Sequence, residues 1–181
     1  MEFLLTIFAP SSYIEFPQGL VGWAGWLTLA AFILWINWKW RGFNKRMRNR
    51  ERLLLVLFAL AVPLTSFFIG IRFSPGAALP LPDIPYSPQG AASLIFSALP
   101  WFLAAGLLGP GPAAVLALLS GLLITLWDTH NPFTPLETAL LASLFGAMVN
   151  QRYRTTLFQL IRHPIGAAAL LSVLYPFITL L

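Results

Sequence analysis

The stretch SLIFSALPWFLAAGLLGPGPAAVLALLSGLLITLWDTHNPFTPLE (Ser93–Glu137) decides the fold. It carries no charge until Asp128, breaks once at Gly109-Pro110-Gly111-Pro112, and closes on a polar cap from Trp127 to Glu137. Two apolar segments joined by a tight turn and capped by polar residues read as a membrane hairpin with an outer rim. The segments 93–109 and 113–127 hold 17 and 15 residues. At about 1.5 Å per residue they are short for a bilayer, so neighbouring helices must shield them or the bilayer must thin. Pro100 is expected to kink the first of them, because a proline ring inside a helix displaces the carbonyl four residues back.

Working outward, the same character covers the whole chain. Of 181 residues, 58% are hydrophobic and 9% charged, too few charges to solvate a globular surface, so lipid must cover it. The net charge of +5 comes from basic runs between apolar segments, which read as topology signals and not as a nucleic-acid surface. There are no cysteines, which excludes disulfides, thiolate metal sites and cysteine nucleophiles. The start has Glu2 and no Lys or Arg, unlike the basic leader of a secretory signal.

The expected fold is all-α: a single integral membrane domain over 1–181, with an interfacial segment at 1–18 and membrane segments at 19–38, 53–71, 93–109, 113–127, 135–150 and 165–181. Trp23 and Trp26 at one end of the first segment, with Trp35, Trp38 and Trp40 at the other, fit two interfacial belts. Lys39, Arg41, Lys45, Arg46, Arg48, Arg50 and Arg52 then mark a cytoplasmic loop suited to anionic lipid headgroups. Pro63 should kink the second segment, with Thr65 and Ser66 satisfying freed carbonyls. The proline-rich stretch 73–92 should form a stiff external cover. Residues 152–163 return to the basic side, where Leu157, Leu160 and Ile161 form an apolar face for the inner interface. The last segment stops without a polar flank, the ending expected of a piece of a longer chain. All Lys and Arg except Arg72 then fall inside, and all Asp and Glu except Glu51 fall outside, which sets the N-terminus outside.

Packing is readable as small residues at a spacing of four. Ala113, Ala117, Gly121 and Thr125 share one face, and Ala139, Ser143 and Ala147 another, with Ala142, Gly146 and Asn150 beside the latter. The third to fifth segments should form the tight core. Thr134, Pro135 and Glu137 fit an N-cap, a first helical residue and the third position of a capping box.

No catalytic residue, metal site or cofactor is expected. HExxH, G-x-S-x-G and phosphate-binding loops are absent, and no charge lies within a segment as ion-coupled carriers require. His130 and His163 fall at opposite faces. The outer rim remains: Asp128, His130, Asn131 and Glu137 are candidates for a ligand-binding or proton-sensing mouth. Structurally, Asp128 at a helix C-terminus calls for a cation, and an Arg72–Asp128 pair is the candidate clamp.

The run LPWFLAAGLLGPGPA (Leu99–Ala113), followed by WDTH (Trp127–His130) and PFTPLE (Pro132–Glu137), resembles the N-terminal multi-helix sensor regions of bacterial signalling proteins that precede GAF or histidine-kinase modules. The likeness spans residues 90–165. It implies a non-catalytic input domain in the bacterial inner membrane, working as a homo-oligomer or with a membrane or cytoplasmic partner, and not with nucleic acid. The residues alone also accommodate a substrate-binding membrane subunit of a transporter and a structural subunit of a larger membrane complex.

Overall fold

The computed structural model describes residues 14–39, 47–67, 71–72, 92–93, 96–151 and 155–179. Within them the fold is all-α apart from one two-residue strand pair: α1 (Gly19–Lys39), α2 (Asn49–Phe67), α3 (Leu99–Leu107), α4 (Pro110–Ile124), α5 (Thr134–Asn150), α6 (Thr156–Arg162) and α7 (Pro164–Thr179). One π-helical turn, Thr125–Thr129, prolongs α4. Residues 71–72 pair antiparallel with 92–93 ahead of α3.

Proline sets the helix starts. Pro100, Pro110 and Pro135 each occupy the first or second helical position, where the missing N–H would have no intrahelical partner and the fixed φ is already helical. Pro100 therefore opens α3 and does not kink it, and α3 has nine residues where a 17-residue segment was expected. The break between α3 and α4 is likewise narrower than the Gly-Pro-Gly-Pro quartet. Gly109 alone turns the chain, at φ 97°, a conformation that a Cβ would strain. Pro63 does lie inside α2, but the nearby hydroxyls bond elsewhere than expected. Thr65 Oγ1 reaches the Ala61 and Val62 carbonyls at 3.0 and 3.1 Å. Ser66 Oγ lies 3.3 Å from Ser120 Oγ on α4.

The core is the antiparallel pair α4/α5. Ala113, Ala117 and Thr125 are completely buried, and small side chains there let the two backbones approach closely. A Cβ on Gly146 would come within 2.7 Å of Pro110 Cα, and one on Gly121 within 2.6 Å of Pro135 Cα. Thr138 Oγ1 donates across the pair to the Ala117 carbonyl at 2.9 Å. Around this pair α2, α3 and α7 contribute Phe58, Val62, Trp101, Ala104, Ala105, Ala167 and Leu171 to one buried cluster. The Phe102 and Phe145 rings stack there with centroids 3.7 Å apart.

The two α5 stripes face different partners. Ala142, Phe145 and Gly146 face the core, whereas Ala139, with Leu136 and Leu140, packs against Ile33 and Ile36 of α1. α1 is thus a separate layer on the far side of α5. It is the helix, among the described residues, that is long and apolar enough to cross a membrane, with 21 residues and a mean hydropathy of 1.8 over its best window, of which 11% is buried. The α4 helix and residues 164–176 of α7 are apolar but shorter.

Most of the polar-flank expectations fall on other ground. The stretch 73–91, the loop residues Trp40, Arg41, Lys45 and Arg46, and residues 1–13 of the interfacial segment lie outside the described residues. Gln151 is buried and its Nε2 donates to the Phe158 carbonyl at 2.9 Å, which ties the end of α5 to α6. On α6, Leu160 is exposed and Ile161 half-buried.

Candidate functional site

The acidic end of the bundle is built on the π turn. His130 N–H donates to the Thr125 carbonyl at 2.9 Å, one residue further than an α-helix allows, and His130 takes a left-handed conformation at φ 53°. That reversal exposes Asn131, whose Oδ1 accepts the Phe133 N–H at 3.0 Å. The Asn131 carbonyl accepts from Thr125 Oγ1 at 3.2 Å and from the Thr134 N–H at 3.2 Å. The turn also captures the N-terminal segment, since the Glu15 N–H donates to the His130 carbonyl at 2.9 Å. Trp26 Nε1 donates to the Pro132 carbonyl at 3.0 Å, so this indole holds α1 to the loop, a more specific role than a place in an interfacial belt.

Of the four rim candidates, His130 and Asn131 share this turn, and Asn131 has a structural use for its side-chain oxygen. Glu137 is half-buried in the first turn of α5, with its N–H on the Phe133 carbonyl at 2.9 Å. The side chains of Asp128 and Arg72 lie outside the described residues, and with them the candidate ion pair. The expected capping box at Thr134 is not made. The residue before the helix is Phe133, with no side-chain cap bond, and Thr134 Oγ1 instead lies 3.0 Å from Thr129 Oγ1. The asparagine two residues earlier has taken over the entry to α5.

A box-like cap forms at the other end of the bundle. Glu51, in the first turn of α2, accepts the Arg48 N–H through Oε2 at 2.8 Å, the reciprocal half of a capping box. Of the seven basic residues assigned to headgroups, Lys39, Arg48, Arg50 and Arg52 are exposed. Lys39 Nζ lies 5.0 Å from the Trp35 ring centroid, close enough for a cation–π contact.

Beside this cap is a cavity of about 720 Å³ that the sequence did not disclose. Its walls come from α1 (Ile33, Leu34, Asn37), the start of α2 (Glu51, Leu55) and the α3–α4 turn, with Ala139 and Asn150 of α5. The volume lies within the range of small-molecule sites. Asn37 joins α1 to α5, because its Nδ2 donates to the Ile33 carbonyl and to Ser143 Oγ, both at 2.9 Å. A carbonyl cannot donate, so the nitrogen must face Ile33 and the amide orientation is settled. Asn37 Oδ1 is then buried with no hydrogen-bond partner, the one such side-chain atom among the described residues. Asn150 Nδ2 is committed to the Ala105 and Gly146 carbonyls at 3.0 and 2.8 Å. The signal available beforehand was Asn37 itself, an amide near the end of a strongly apolar helix.

Comparison of the chain with family models, curated proteins and solved structures finds no match.

Proposed function

We propose that the chain is a membrane-embedded, non-catalytic input domain of a bacterial signalling protein, a six-segment bundle in the cytoplasmic membrane with its N-terminus outside. The observation that carries this reading is the two-layer construction. A close-packed α4/α5 core is flanked by a long apolar helix that it holds along one seam, with a cavity under the seam's basic end. Support for the lipid setting comes from the same helix, whose Leu20, Val21, Leu27 and Leu34 are more than half exposed. The outer face of α2 adds Leu53, Val56, Leu57, Leu60 and Leu64, also exposed. Helices apolar on their exposed faces belong in hydrocarbon. An element held along one seam is a mover that an input can displace, because a ligand shifts an equilibrium only through differential contact with two arrangements.

The chain's lack of cysteine makes the test direct. Cysteines replacing Ile33 and Leu136, bridged by a short bis-maleimide in membranes, lock α1 onto α5. In a chimera carrying a histidine-kinase module after Leu181, the lock is expected to change autophosphorylation several-fold relative to either single-cysteine chain. Equal activity with and without the bridge excludes α1 as the moving input element.

A further inference from the structure

We infer that the cavity at the basic end takes the head and upper acyl chain of a membrane phospholipid whose head is a primary ammonium. This rests on the membrane reading above and names a ligand class for it. The head chemistry follows from the polar groups on the walls. Both N–H groups of Asn37 and both of Asn150 are already bonded to the protein, so each amide has only its carbonyl oxygen to offer. Asn37 Oδ1 is buried beneath the wall, so of the two amides it is Asn150 whose oxygen a ligand can meet. Glu51 adds a carboxylate. Every polar side chain on the wall is therefore an acceptor, and one is anionic, which calls for a ligand that donates and carries positive charge. The exposed Arg50 and Arg52 flank Glu51 in sequence, with Arg48 one turn earlier, and suit the phosphate of the same head.

The tail chemistry follows from the open side. Leu34, Leu107, Val115 and Leu118 line the cavity and are also exposed at the protein surface. The mouth is thus apolar and opens onto the same face that α1 presents outward. A free water-soluble amine gains nothing from that mouth, whereas an acyl chain continues along it. The groove on α2, lined by Leu53, Val56, Leu57, Leu60, Ala61 and Leu64, offers no such polar groups.

The test is native mass spectrometry of the full chain, purified in a neutral maltoside detergent and titrated with three probes. These are palmitoyl lysophosphatidylethanolamine, palmitoyl lysophosphatidylcholine and acyl-free glycerophosphoethanolamine. The first two share tail, phosphate and net charge and differ in N–H donors. The ethanolamine lipid is expected to be retained at roughly tenfold lower concentration than the choline lipid, the worth of about one charge-assisted hydrogen bond, and the acyl-free head not at all. Glu51→Gln should abolish the preference. Because Glu51 also accepts the Arg48 N–H, Val115→Trp serves as a second variant that fills the cavity from its exposed wall and leaves that cap intact; it should abolish retention. Equal retention of the two lipids, or binding of the acyl-free head, overturns the inference. Release of the chain from membranes by alkaline carbonate overturns the membrane reading itself, so the two failures are distinguishable.

Discussion

Helix α5 is packed on both sides, and the two sides are built by different rules. Toward α4 it presents Ala142 and Gly146, and the contact is so close that Gly146 and Gly121 have no room for a methyl group. Toward α1 it presents Ala139 to Ile33 and Ile36, the two buried residues of a 21-residue helix. The first contact runs the length of both helices. The second is a seam pinned near its ends by Trp26 to the Pro132 carbonyl and by Asn37 to Ser143. Backbone-to-backbone packing leaves one arrangement, because any rotation collides. A seam of large side chains fixed by two hydrogen bonds tolerates more than one, which is the property an input element needs.

The contrast can be attacked from either side. Phe145→Ala removes a buried ring stacked on Phe102 and is expected to destabilise the whole bundle by about 3 kcal/mol, read as a lower thermal unfolding midpoint in detergent. Trp26→Phe keeps the ring and loses the bond to Pro132, costing about 1 kcal/mol. That loss should appear as faster hydrogen exchange confined to the first turns of α1 and to residues 130–133, with the global midpoint unchanged; a global shift would show that α1 belongs to the core. Thr138→Val deletes the hydroxyl bonded to the Ala117 carbonyl and should cost only about 0.6 kcal/mol, the average for an interhelical hydrogen bond in lipid. A larger midpoint drop would mean that hydrogen bonding, and not the small-residue approach, holds α4 to α5.

Much of the core was legible because its signal is local. The spacing of Ala113, Ala117, Gly121 and Thr125 names a buried face without knowledge of its partner, and all four are buried. The spans 19–38 and 135–150 agree closely with α1 and α5. What failed depended on geometry that spacing does not carry. A proline in an apolar run opens a helix or bends one, and Pro100 and Pro63 took opposite courses. Thr134 and Glu137 satisfy the capping pattern, yet backbone carbonyls took both amides of the box, the Thr134 N–H going to Asn131 and the Glu137 N–H to Phe133. The cavity was illegible because its walls lie on five helices, and only the coincidence of Glu51 and Asn150 at one end of the bundle gives it chemistry.

The π turn at Thr125–Thr129 has a consequence for how the chain measures length. A bond from His130 back to Thr125 encloses one residue more than an α-helical bond does, so the helix carries a spare residue as a loop of slack at its rim. Upstream, the α4 register is locked by Gly121 and Thr138, and downstream α5 is locked by Gly146 and Pro110. Those two locks are a fixed distance apart on one rigid pair. The slack lets the connection between them close without either lock slipping by a residue, as a tailor's ease lets a seam meet when the cloth on both sides is already cut.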